Sequence, residues 1–341
     1  MKPISKKELF KLNVDSVDNY FDHFIKKKSE IDFNKPLLEV VDLKKKYYKK
    51  KVPAINKLNF CVYPGEFHAF VGANGAGKTT TIKSIIGSYR NFEGTIYISG
   101  INNRNLESRQ KLGYIPETAI FPPRITAFEY LVYMAKLNKT KTSAAKLFAE
   151  CVLKKFSMWN LRNHCPNNFS SGQKKKILLA QALSNNPDLL VMDEPTANLD
   201  PRARIDFFNI LELLRKQNKA ILISSHILTE LDLYSNAVTI LDNGRIAYTE
   251  KREKYADSNL YRIVIKNELN QKSILNYKIN DHNEIIYKFT NQNELNTLIE
   301  YLIKENKLIK FERYYLTIED LYKKYVIYGS VDTKQESNTN N

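Results

Sequence analysis

Short apolar runs, glycine-rich turns and segments of helical spacing alternate from Leu37 to about residue 248. That alternation predicts an α/β domain with a doubly wound, mainly parallel sheet. Within it, residues 127–184 are mostly helical in pattern and predict a helical subdomain. A smaller α/β unit follows. Its strands are expected near 260–266, 284–290 and 308–314, with a helix near 294–304 and a last helix opening at Thr317. Thr317 with Asp320 three residues on makes the cap for that helix. Ahead of the alternating region, Phe10, Val14, Val17, Phe21 and Phe24 recur at spacings of four and three, lining one helix face. Lys26, Lys27 and Lys28 follow it. Such a helix can lie on a membrane surface or dock on a partner or on its own core; Asp15, Asp18 and Asp22 dilute a basic membrane face and favour docking. The tail after Tyr328, rich in Ser, Thr, Asn and Gln, reads as disordered.

Composition narrows this picture in a few places. The 341 residues accommodate one large α/β domain and a smaller one, and 43% hydrophobic content is ordinary for a globular chain. No run reaches the roughly 18 apolar residues of a membrane span, and charges interrupt the first thirty residues, so no secretory signal is read there. Cys61, Cys151 and Cys165 lie far apart without metal or redox spacing, which fits reduced thiols in a cytoplasmic protein. The net charge of +16 favours polyanions such as nucleic acid, an anionic membrane face or nucleotide. Lysines are spread along the whole chain, however, as an AT-rich genome would produce, so charge alone names no partner.

The chemistry enters with Gly72-Ala73-Asn74-Gly75-Ala76-Gly77-Lys78-Thr79, which fits G-x-x-x-x-G-K-[ST] between an apolar strand and a helix. Its glycines let backbone N–H groups close around phosphate oxygens, and the helix N-terminus adds partial positive charge. Lys78 is placed to reach the β- and γ-phosphates and Thr79 to take a position on Mg²⁺. Leu189-Leu190-Val191-Met192-Asp193-Glu194 is an apolar run that delivers two carboxylates to the edge of a parallel sheet. Asp193 suits the magnesium shell and Glu194 the polarisation of an attacking water. The strand over 220–225 ends at His226, at the same edge, where the imidazole could contact the γ-phosphate. Asn168-Phe169-Ser170-Ser171-Gly172-Gln173 opens a helix whose free N–H groups form a second anion site with Ser170. If the helical subdomain projects away from the sheet, that site serves the nucleotide of a second copy.

These segments together resemble the nucleotide-binding subunit of an ABC transporter, over about residues 37–250. The resemblance makes residues 72–80, including Thr80, the Walker A loop, ends Walker B at Asp193, and makes Glu194 the catalytic glutamate. It makes Ala197-Asn198-Leu199-Asp200 the D-loop, His226 the switch histidine, and Ser170, Ser171, Gly172 and Gln173 the signature. It also implies that Tyr47 stacks on adenine, with Tyr48 the alternative. Two positions depart from the family pattern. Ser171 stands where LSGGQ has its first glycine, and a side chain there limits backbone approach to phosphate. Glu117, in Gly113-Tyr114-Ile115-Pro116-Glu117, replaces the Q-loop glutamine near the magnesium water, a replacement common in ABC-2 type exporters. The segment 118–130 would grip the membrane partner. Leu316-Thr317-Ile318-Glu319-Asp320-Leu321-Tyr322 resembles the closing helix of such exporter ATPases.

The resemblance divides the chain into a basic amphipathic extension (1–36), an ABC ATPase domain (37–250, helical subdomain about 120–185), an accessory α/β unit (251–328) and a tail (329–341). It implies an ATPase using ATP and Mg²⁺ at the cytoplasmic face of the membrane. It would pair with a second nucleotide-binding subunit, identical or homologous, and drive separate integral membrane permease subunits, with export the favoured direction and no specific nucleic acid expected. The alternatives are a soluble ABC-type ATPase acting on nucleic acid or ribosomes, and a regulatory cassette that hydrolyses poorly. The first usually carries two cassettes, long coiled coils or zinc sites, none of which is seen here; the second is motivated by Ser171 and Glu117.

Overall fold

A computed structural model of the chain describes residues 32–48, 50–253, 260–266, 273–274, 277–278, 284–288 and 291–328, together with Phe21 and Ile25. The described chain opens with β1 (Leu38–Lys45), β2 (Ile55–Val62), β3 (Phe67–Gly72), helix α1 (Lys78–Ile85), β4 (Glu93–Ile98), β5 (Ile101–Asn102) and β6 (Leu112–Ile115). Helices α2 (Ala127–Leu137), α3 (Thr142–Lys155) and α4 (Ser171–Leu183) follow. The chain then runs through β7 (Leu189–Asp193), α5 (Pro201–Lys216), β8 (Ala220–Ser224), α6 (Leu228–Tyr234), β9 (Ala237–Asp242) and β10 (Arg245–Lys251).

A six-stranded sheet ordered β10-β9-β3-β8-β7-β6 forms the centre; its strands from β9 to β6 are parallel and β10 returns antiparallel. β3, β7 and β8 are buried at every residue, as unbroken apolar runs covered on both faces should be. Alternate residues of these strands feed two cores. Phe67, Ala69, Val71, Leu190, Met192, Ile221 and Ile223 face one that also holds the helices. Phe70, Leu189, Val191, Ala220 and Leu222 face the other.

The second core is closed by a separate antiparallel sheet, β2-β1-β4-β5. The sequence reading folded this stretch into one alternating α/β scheme; the structure sets it apart as its own layer. The reason is visible in β1 and β2, whose buried residues are interspersed with partly and fully exposed ones, as in strands with only one covered face. Phe21 and Ile25, one helical turn apart, are buried in the first core, and Phe21 meets Phe156 edge-on at 6.0 Å between ring centroids. Phe10, Val14, Val17, Phe24 and Lys26–Lys28 lie outside the described residues.

Beyond residue 253 come β11 (Leu260–Ile265), the short pair β12 (Ser273–Ile274) and β13 (Tyr277–Lys278), β14 (Glu284–Lys288), α7 (Gln292–Lys304), β15 (Leu308–Tyr314) and α8 (Ile318–Tyr322). The sheet β14-β11-β15 buries Ile263, Ile265 and Ile285 against Leu295, Leu298 and Leu302 of α7. The pair β12–β13 was not read from the sequence, since two-residue strands carry no periodicity. Thr317 and Asp320 form the expected capping box. Helix α8 then sends Ile318 and Leu321 into the first core of the larger domain. The Ile318 N–H donates to Asp232 Oδ1 on α6 at 3.1 Å, and Tyr325 stacks on Tyr248 at 4.6 Å. Among the described residues, no helix is long and apolar enough to cross a membrane, and the three cysteines are free thiols.

Candidate functional site

The loop after β3 turns directly into α1. Gly77 caps that helix at φ 110°, and a Cβ there would lie 2.9 Å from the Ala54 carbonyl oxygen. Both facts require glycine. No side chain caps the helix, so its first N–H groups remain available to an anion. Lys78 is 6% exposed. Its ammonium donates to the Gly72 carbonyl at 2.7 Å and the Ala73 carbonyl at 3.3 Å, which draws the side chain back over the loop. Ala73, Asn74 and Gly75 form the rim, while Ala76 turns into the second core.

At the same sheet edge β7 delivers Asp193, opposite Ser224 of β8 in register. Thr79 Oγ1 donates to Asp193 Oδ1 at 3.3 Å, and Ser224 Oγ donates to the same oxygen at 2.9 Å. Ser224 Oγ also accepts the Glu194 N–H at 3.0 Å. One hydroxyl therefore fixes both acidic residues. Glu194 takes φ 47°, a conformation non-glycine residues adopt rarely. Its Oε1 lies 3.9 Å from Lys78 Nζ and its Oε2 2.5 Å from His226 Nδ1. Ala73, Asn74, Gly75, Gly77, Lys78, Thr79, Thr80, Glu117, Glu194 and His226, with Ala54 and Ala197, line one cavity of about 340 Å³. Negative charge is dense beside it. Burial, with the Asp193 and Glu117 carboxylates, pushes the Tyr114 phenol up to about 12.

That donor set fits Mg²⁺, which takes one or two protein oxygens and completes its shell with phosphates and water. The Thr79 hydroxyl and the Asp193 carboxylate supply such oxygens side by side. Among the described residues no three-ligand His/Cys/Asp/Glu cluster occurs, so the cation would depend on the nucleotide for its remaining contacts. Tyr47 reaches the site from outside the cavity, its hydroxyl 3.0 Å from Thr80 Oγ1 and its ring edge-on to Tyr89 at 5.9 Å. Tyr48 is 90% exposed.

Ser170, Ser171, Gly172 and Gln173 are not among the residues lining that cavity. Ser170 caps α4 in a reciprocal box with Gln173: the Gln173 N–H donates to Ser170 Oγ at 3.3 Å and Gln173 Oε1 accepts the Ser170 N–H at 3.0 Å. The Ser171 hydroxyl is directed at the Asn198 carbonyl, 2.7 Å away. One residue joins the two regions. Lys175, buried on α4, donates to the Pro116 carbonyl at 2.9 Å and the Glu117 carbonyl at 2.5 Å. Burial lowers its ammonium to about 8, against the opposing pull of Glu117 and Asp193. Sequence reasoning missed Ser224, Lys175 and Ala54. Ser224 carried a weak signal, a hydroxyl ending an apolar strand; the other two carried none.

The ABC transporter family profile matches residues 55–197. A putative ABC transporter ATP-binding protein of Mycoplasma pneumoniae is 45% identical, over 68% of this chain and 72% of its own length. The chain belongs to the ABC transporter ATP-binding family. The Nod factor export ATP-binding protein I of Burkholderia orbicola is 34% identical, over 60% of this chain and 67% of its own. A solved ATP-binding subunit of an ABC transporter superposes with TM-score 0.59 at 31% identity, covering 64% of this chain and 91% of the other. As a member of this family the chain is a P-loop ATPase, an ATP-binding subunit of an ABC transporter.

Proposed function

We propose that this subunit powers export through separate integral membrane permeases. In this reading it pairs with a second nucleotide-binding subunit at the cytoplasmic face of the membrane, and residues 37–250 are the motor. The observation that carries it is the separation of two anion sites. The cavity around Lys78 holds one face of the nucleotide, while Ser170, Gly172 and Gln173, with the Ser171 backbone, lie outside it. A partner's signature helix then completes each pocket.

In that pocket Lys78 and the N–H groups of residues 73–79 cradle the β- and γ-phosphates. Thr79 and Asp193, with Glu117 beside them, would hold Mg²⁺, which would neutralise charge on the transferring phosphoryl group. Glu194 orients and polarises water for in-line attack on the γ-phosphorus, and the bond to the β-phosphate oxygen breaks to leave ADP and phosphate. His226, now paired with Glu194, swings to the γ-phosphate when nucleotide is present. Tyr47 stacks on adenine. Two features support a membrane partner and an exporter. Ile120, in the segment after Glu117, is 80% exposed, and Tyr133 and Leu137, one turn apart on α2, are 58% and 64% exposed. An exporter subunit, the Nod factor export protein, is among the relatives.

Glu194→Gln tests the assignment. Turnover is expected to fall about 10²–10⁴-fold, with ATP binding retained and a dimer trapped on size exclusion in Mg·ATP. Normal turnover in a folded Glu194→Gln protein would sink the role of that carboxylate. Recovery of the tagged chain from solubilised membranes, with an integral membrane protein attached, tests the permease; recovery without one refutes it.

A further inference from the structure

Helices α4 and α5 meet at their N-termini. A Cβ on Gly172 would stand 2.7 Å from the Ala203 side chain, so glycine brings the signature end of α4 against the start of α5. Between them runs the turn from Glu194 to Asp200. Internally it is held by the Ala197 N–H on the Glu194 carbonyl and the Leu199 N–H on the Thr196 carbonyl, both at 3.2 Å. Its far end is pinned by Asp200 Oδ1, which accepts the Ala203 N–H at 2.8 Å. Two successive carbonyls of the turn accept side-chain donors. Arg204 Nη2 donates to that of Leu199 at 2.9 Å, and Ser171 Oγ to that of Asn198 at 2.7 Å.

Those two donors come from different helices. Arg204 belongs to α5 and pairs with Glu230 on α6, the helix that follows His226. Ser171 belongs to the helical subdomain. The turn they grip begins at Glu194, whose left-handed backbone is a strained conformation that persists only where its surroundings hold it. Asn198 is also left-handed, at φ 61°. A glycine at position 171 would leave the Asn198 carbonyl without this donor.

We propose that Ser171 is a positioning residue: through the Asn198 carbonyl its hydroxyl ties the signature helix to the turn that carries Glu194. The side chain that departs from the usual signature is then a tie within the protomer. Displacement of the helical subdomain is transmitted to the water-orienting carboxylate in the same chain. The inference rests on the reading of Glu194 given above, and its test separates the two.

The test compares full-length Ser171→Ala and Ser171→Thr with the parent. In Ser171→Ala, amide exchange over residues 196–200 of the nucleotide-free protein is expected to accelerate several-fold. Saturated ATP turnover is expected to fall about two- to ten-fold, the worth of one partly exposed hydrogen bond, with KM for ATP unchanged. Ser171→Thr keeps the hydroxyl and should restore both. Parental exchange and turnover in Ser171→Ala, or failure of Ser171→Thr to restore them, overturns the inference. If the Glu194→Gln dimer still forms in Mg·ATP, the site reading survives that result. If it never forms, the site reading is what has failed.

Discussion

Two helix N-termini in this protein are finished in opposite ways. At α1 the cap is a left-handed glycine with no side-chain acceptor, so the first turn opens onto a cavity already furnished with Lys78, Glu117 and Glu194. At α4 the N-terminus is closed on itself by the Ser170–Gln173 box. The open end is stabilised by tertiary contacts, its lysine pinned to the loop carbonyls and its carboxylates fixed by Ser224. The capped end is satisfied locally, and Ser170, accepting through its oxygen, keeps a hydroxyl proton to donate. In the function proposed above, one terminus is prepared for nucleotide inside a single protomer, whereas the other is stable by itself and serves a phosphate brought by a second subunit.

The contrast breaks most sharply at Lys78. Lys78→Ala removes the charged donor from the open site, and ATP affinity of the isolated subunit should fall about 100-fold, the value of a hydrogen bond to a charged group; titration with a fluorescent nucleotide reads it. A smaller effect of a different kind is expected from Ser170→Ala. It should cost about 1 kcal/mol of helix stability and reduce turnover roughly tenfold, while leaving the affinity of the isolated protomer for ATP at the parental value. An equal loss of affinity in both variants would erase the distinction between the two termini.

The subtlest effect is expected where the regions join. Burial lowers the Lys175 ammonium from 10.5 to about 8, so the folded chain sheds this proton before the unfolded chain does. Between those values the unfolded state holds more protons, and stability contributed by Lys175 rises with pH. Lys175→Met lacks that rise. The parent's urea midpoint minus the variant's should rise from pH 8 to pH 10; a constant difference would show that the lysine is not desolvated by the contact with residues 116 and 117.

Much of the motor was legible because its residues are contiguous. The strand, loop and helix of residues 67–85 lie in one stretch, and backbone geometry alone makes G-x-x-x-x-G-K-[ST] a cradle. The run ending at Asp193 and Glu194 was equally readable, since its burial needs only continuous apolar residues, and Thr317 with Asp320 declared its own cap. The positions missed share one property: their partners are distant in sequence. Ser224 acts on residues 30 and 31 positions away and Lys175 on carbonyls 58 and 59 away; Ser171 was read as part of the signature, but its bond to a carbonyl 27 away was not. Each is a common polar residue whose role is set by whichever backbone packing places beside it.

The amino-acid order by itself determined the central parallel sheet, the phosphate loop and the acidic strand end, because each arises from local periodicity or backbone freedom that the sequence states outright. Tertiary structure alone decided the separate antiparallel layer, the pairing of His226 with Glu194, and the turning of the Ser171 hydroxyl onto the Asn198 carbonyl. Those depend on which burial-driven surfaces meet when the chain collapses, and a hydrogen bond acquires its direction only once its two ends have been brought together.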